Sequence, residues 1–179
     1  MVQLKSMKHM SQYNYNEYEI EKAIVFLVNT LEDSGHNPKP VLLHSIRVAS
    51  VLWNNGIPEK YVIVGILHDI IEDTDITKDD VAKEFGDEVS NMVTTLTLTK
   101  KNDAKESFEE SLKDNNLAAV RAADLIENSN YYRRAGTDQL KNKLRNKYEY
   151  FMKCSEGKLP EPIYRELKKA HEDNVFTLI

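Results

Sequence analysis

Between Gly65 and Asp75 the chain reads GILHDIIEDTD. His68, Asp69, Glu72, Asp73 and Asp75 crowd the end of a segment, YVIVGIL, that is as apolar as any in the sequence. Side chains four apart share a helix face. A helix through this segment stacks His68 over Glu72 and Asp69 over Asp73, in one polar corner at the end of a buried rod. Left unpaired there, these groups are costly to desolvate. A divalent cation neutralises them, and imidazole with carboxylate is a ligand set for a first-row transition metal.

Two ligands hold an ion poorly, so others must come from elsewhere in the chain. His44 is the only imidazole in the apolar stretch PVLLHSIRVA. Asp124 follows two alanines and precedes Leu125 and Ile126 in LAAVRAADLIEN, and Asn128 lies one turn beyond it. His44, His68, Asp69 and Asp124 together make a four-ligand site with room for water. Taken singly, each has a plainer reading. His44 could be a hydrogen-bonded core histidine, Asp124 the partner of Arg121, Asn128 a helix-end cap, and Asp75 part of a solvated turn. Positive charge for an anionic substrate is available from Lys39, Arg47, Arg121, Lys100 or Lys101. Arg47, one turn after His44, is the first choice among them.

The elements that must position these residues read as helices almost throughout. NEYEIEKAIVFLVNTLEDSG carries Ile20, Ile24, Leu27 and Leu31 at helical spacing and stops at Gly35. KPVLLHSIRVASVLWNNG opens with Pro40 and closes at Gly56. PEKYVIVGILHDIIEDT opens with Pro58 and is expected as one helix. Gly65 lies inside it at a cost of about 1 kcal/mol against alanine, which suggests another helix passing close by. TKDDVAKEFG has a capping-box pattern at Thr77 and Asp80 and stops at Gly86. DEVSNMVTTLTL is a further helix, although its threonines leave a strand open. KKNDAKESFEESLKDN is polar and acidic, a helix or a lid over residues 101–116. NLAAVRAADLIENSNYYRRAG has Asn116 as its cap candidate. TDQLKNKLRNKYEYFMKCSEG is amphipathic through Leu140, Leu144 and Phe151, and EPIYRELKKAHEDNVFTLI ends the chain. With no repeat, linker or sustained period-two pattern, an all-α bundle is expected.

The order H…HD…D on successive helices resembles the HD-domain metal-dependent phosphohydrolases. ILHDIIEDTDIT followed by FGDEV is similar to the hydrolase domain of RelA/SpoT-type alarmone-degrading enzymes, and AADLIEN looks like a variant of their ADRxxN segment. The resemblance covers about residues 17–135. It implies an HD-domain helical bundle, with His44, His68, Asp69 and Asp124 as metal ligands. It also implies that Glu72 and Asp73 orient or deprotonate the attacking water and that Asn128 lines the substrate pocket. Manganese is the first expectation, with iron, zinc, nickel, cobalt and magnesium also compatible. The implied substrate is a phosphorylated small molecule of the nucleotide class, such as (p)ppGpp cleaved at its 3′-pyrophosphate. The segment DSGHNPKPVLLHSIRVA keeps Lys39 but lacks the basic stretch and tyrosine of the alarmone enzymes, and Leu125 stands where they carry a basic residue. HSIRVA also resembles HD-type nucleotidases, so a nucleoside monophosphate phosphatase is the alternative enzyme. A catalytically silent metal- and nucleotide-binding module is the alternative of another class.

Composition sets the outer bounds. The chain has 179 residues, 41% hydrophobic and 30% charged, with a formal net charge of −5. A nucleic-acid partner, which needs a basic face, is not expected. Cys154 is the sole cysteine, so no internal disulfide can form. No apolar run approaches the roughly 20 residues of a membrane span, and the N-terminus lacks the apolar run of a signal peptide. A cytoplasmic protein without a membrane partner is expected. It should form one HD-type domain over residues 1–179, with helices from 137 onward packing on the core, and association as a homodimer stays open.

Overall fold

The computed structural model describes residues 15–34, 40–98, 104–132 and 137–176. They are all-α, with no strand among them. In chain order the helices are α1 (Glu17–Ser34), α2 (Val41–Asn54), α3 (Glu59–Leu67), α4 (Ile70–Asp73), α5 (Lys78–Leu96), α6 (Ala104–Ser111), α7 (Asn115–Tyr132), α8 (Asp138–Ser155) and α9 (Glu161–His171). A single π-helical turn, Glu172–Phe176, follows α9.

Two helices form the centre. Every residue of α3 from Tyr61 to Leu67 is buried, and so is every residue of α7 from Leu117 to Glu127. A helix apolar all round, as α3 is over that stretch, belongs inside a bundle, and α7 is buried there with Arg121, Asp124 and Glu127 among its apolar residues. Helix α2 packs against both, turning Val41, His44, Ser45, Val48, Ala49 and Leu52 inward. Gly65 is where α2 and α3 come closest. A Cβ built on it would stand 2.6 Å from Leu52 Cδ1 and 3.4 Å from Val48 Cγ1. The mid-helix glycine thus has the packing reason expected of it. On the far side of α7, α9 contributes Ile163 and Leu167, both fully buried.

Local signals explain most boundaries. Thr77 and Asp80 close the expected capping box at the start of α5. At Gly86 the backbone turns to φ 84°, joining two helical stretches end to end as the glycine stop predicts. Of the threonines that left a strand open, Thr94 and Thr95 are helical and Thr97 caps the end of α5. Thr94, Thr95 and Thr97 each donate a hydroxyl hydrogen bond to the carbonyl four residues back. Two expectations are corrected. The cap of α7 is Asp114, not Asn116, because Asp114 Oδ1 accepts the amides of Asn116 (2.8 Å) and Leu117 (3.2 Å). The expected single helix from Pro58 to Thr74 is broken after Leu67, and α4 restarts at Ile70 with the Asp69 carbonyl accepting from Asp73 N (2.8 Å).

Candidate metal centre

That break shapes the site. In a continuous helix His68 and Asp69 would point about 100° apart. The turn between α3 and α4 instead brings His68 Nε2 within 3.2 Å of Asp69 Oδ1. Helix α2 supplies His44, whose Nε2 is 3.2 Å from His68 Nε2. Helix α7 supplies Asp124, whose Oδ1 lies 3.2 Å from His44 Nε2 and 3.4 Å from His68 Nε2. Asp69 Oδ2 is 3.8 Å from His44 Nε2. Both imidazoles are buried, and the two carboxylates are nearly so.

His44, His68 and Asp124 each offer a ligand atom within 4.8 Å of the others and fit a divalent ion, with Asp69 beside His68. Donors bound to one first-row ion at about 2.1 Å stand about 3.0–3.4 Å apart, which matches the four shortest separations. The tautomer of His68 agrees. Its Nδ1 donates to the Gly65 carbonyl at 2.8 Å, so in the neutral ring Nε2 turns a lone pair toward the Asp69 and Asp124 carboxylates. Only a proton or a cation can stand between them. Without a cation the ring keeps its proton. Burial opposes that charge, but the carboxylates of Asp69 and Asp124 outweigh it and push the imidazole up to about 10. Burial likewise opposes ionisation of Asp124, yet hydrogen bonds from His44 and His68 hold it well below the usual carboxylate range. His44 lacks such backing: among the described residues its buried Nδ1 has no hydrogen-bond partner.

Around the centre is a pocket of about 170 Å³, lined by Asp69, Glu72, Leu98, Phe108, Arg121, Asp124, Leu125, Asn128, Tyr132, Leu144, Lys147 and Tyr148. Glu72 sits exposed at its rim, its Oε2 accepting the Leu98 amide at 3.1 Å. Asn128 reaches the pocket too and spends its Nδ2 on Asp124 Oδ1 at 2.6 Å. Asp73 is half-buried on α4 and does not line the pocket. Arg47, the first choice for a substrate cation, is exposed on α2 and is not on the pocket wall. Lys39, Lys100 and Lys101 lie outside the described residues.

Lys147 is the cation that sequence reading missed. It lines this pocket and also a larger groove of about 840 Å³ that shares Leu98 and Phe108 with it and adds Lys105 and Lys143. Burial, and then the charge of Lys143, lowers the Lys147 ammonium. The missed signal was Lys143 and Lys147 four residues apart on α8. Like charges at that spacing repel.

The structure is thus an all-α bundle in which two histidines and two aspartates converge from two helices, α2 and α7, and the turn between α3 and α4. Residues 23–138 match the family model described as the HD domain, and the chain belongs to that family. It is 34% identical over 98 residues to a GTP pyrophosphokinase of Myxococcus xanthus, covering 52% of this chain and 12% of that protein. It is 31% identical over 91 residues to a guanosine-3′,5′-bis(diphosphate) 3′-pyrophosphohydrolase of Aquifex aeolicus, covering 50% of this chain and 13% of that one. The match thus spans about an eighth of these curated relatives. Among solved structures, a metazoan orthologue of SpoT described as hydrolysing ppGpp superposes with a TM-score of 0.76 at 19% identity, covering 93% of this chain and 99% of that one. A Listeria monocytogenes protein superposes with a TM-score of 0.59 at 22% identity, over 75% of this chain and 99% of its own. The expected HD-type helical fold is confirmed. No helix among the described residues is long and apolar enough to cross a membrane.

Proposed function

We propose that this chain is a metal-dependent phosphohydrolase acting on a nucleotide-like phosphoester, specifically the 3′-pyrophosphate of guanosine 3′,5′-bis(diphosphate). The observation that carries the reading is the convergence of two imidazoles and two carboxylates beneath a pocket that opens into a lysine-lined groove. The names of the Aquifex and metazoan relatives support the substrate.

His44, His68, Asp69 and Asp124 would hold the ion, with manganese as the first choice. A bound divalent ion supplies positive charge to the phosphoryl oxygens and lowers the pKa of water. The rest falls to side chains of the chain. Glu72, steadied by the Leu98 amide, takes a proton from the attacking water or aims it. It takes this role ahead of Asp73, which lies off the pocket wall. Asn128 keeps Asp124 turned toward the imidazoles. Lys147 meets phosphoryl charge where pocket and groove join, and Lys143 and Lys105 receive a second anionic group. Phosphoryl transfer needs alignment and charge neutralisation more than covalent help. A nucleoside monophosphate would bring no second anionic group to Lys143 in the groove, which favours the substrate with two diphosphates.

The test incubates manganese-loaded protein with guanosine tetraphosphate and follows pyrophosphate release, with Asp69→Ala alongside. Release that vanishes in the variant is the expected result. No release from protein that holds manganese removes this substrate and turns the search to nucleoside mono- and diphosphates.

A further inference from the structure

Arg121 is a buried cation, 4% exposed, that ties the metal centre to helix α6. One of its terminal nitrogens, Nη2, donates to the Leu96 carbonyl at the end of α5 (2.6 Å) and to Ser107 Oγ on α6 (2.8 Å). The other, Nη1, lies 3.5 Å from Asp124 Oδ2. The guanidinium carbon stands 5.3 Å from the centre of the Phe108 ring, also on α6. Ser107 in turn donates to the Thr95 carbonyl at 2.8 Å.

The two Asp124 oxygens thus divide their partners. Oδ1 faces His44, His68 and Asn128, and Oδ2 faces Arg121. With Asn128 holding Oδ1, the guanidinium at Oδ2 completes the setting of that carboxylate while it clamps α6 against α5. A lysine, with one compact ammonium, cannot reach both sides at once. Phe108, the α6 residue under the guanidinium, is part of the wall shared by the metal pocket and the lysine groove.

We propose that Arg121 is a positioning residue that couples metal binding at Asp124 to the ordering of α6, and through it to the wall of the anion groove. The proposal rests on the metal reading above. Coupling of this kind is reciprocal, so an anion in the groove strengthens metal binding by the same factor.

The test measures manganese affinity by electron paramagnetic resonance and amide hydrogen exchange across residues 104–112, with and without saturating manganese. It compares wild type with Arg121→Lys and Ser107→Ala. In the wild type, manganese is expected to slow exchange in α6 by about 5-fold or more. Arg121→Lys is expected to bind manganese about 10–100-fold more weakly and to show no slowing even when saturated. Ser107→Ala, which cuts only the α6 arm, is expected to keep its affinity and lose the slowing. If Arg121→Lys does not fold, the Ser107→Ala result decides. Wild-type α6 exchange indifferent to bound manganese overturns the coupling and leaves the metal centre standing. So does an Arg121→Lys protein that keeps both affinity and slowing. Wild-type protein that binds no manganese overturns the metal reading, and this proposal with it.

Discussion

His68 and Asp124 hold opposite charges in a buried cluster, and their pH behaviour follows. In metal-free protein His68 is raised from 6.5 to about 10, so its charge contributes stability in full below pH 6.5 and loses it as pH rises through about 10. Asp124 is depressed, so its contribution is present above its ordinary value of 3.8 and is lost as pH falls toward its folded value. Denaturant unfolding of chelator-treated wild type and His68→Gln should therefore differ most between about pH 4 and 6.5 and converge toward pH 10. A difference independent of pH would mean that His68 is held neutral. Glu72 is tested separately. Glu72→Gln keeps the Leu98 amide contact in shape but removes the base. It should lower kcat by about 10²–10⁴-fold while manganese affinity stays unchanged. Equal losses of both would make Glu72 a ligand instead.

Among the elements, the contact of α2 with α3 decides whether His44 and His68 meet. Gly65 sits at that contact, and its carbonyl also fixes the His68 ring. Gly65→Ala must push Leu52 aside or drive the helices apart, at a cost of about 1–3 kcal/mol. Chemical denaturation should show that loss, and manganese binding should weaken with it, since both histidines ride on the displaced helices. A stability loss with metal affinity intact would mean that the helices absorb the methyl group without moving the imidazoles. The loop break after Leu67 is the second decisive feature. Periodicity ran straight through His68 and Asp69 because the residues on both sides are apolar and helical. Nothing local marks the turn, and only the site reveals its purpose.

For the whole molecule, the buried cluster runs without interruption from Ile20 in α1 to Val175 beyond α9. Phe151, Ile163 and Leu167 on the C-terminal helices are fully buried. We propose that the chain unfolds as one unit, and calorimetry of the metal-free protein should give a single transition. Two separated transitions would divide it. On the proposed reading manganese binds the folded state alone, so at about 1,000-fold excess over Kd it should add about 4 kcal/mol of stability, reversed by chelation. A melting temperature indifferent to manganese would remove the ion from the folded structure.

Much of this was legible one residue at a time. His44, His68, Asp69 and Asp124 each stood out as a polar group in an apolar stretch, because burial without a partner is costly enough to be rare. The family resemblance implied a common purpose for those four residues, the holding of a metal ion. Helices, the Thr77 cap and the reason for Gly65 follow from periodicity and local sterics, which act over a few residues. The substrate side did not read the same way. Arg47 was preferred for its nearness to His44 in sequence, yet α2 turns it outward to solvent. Lys147 was passed over in a helix that looked merely amphipathic, yet α8 folds back and delivers it to the pocket. Whether a charge faces solvent or a site 100 residues away depends on how the helices pack. Packing comes from the summed burial of the whole core, and no short stretch of sequence contains that sum.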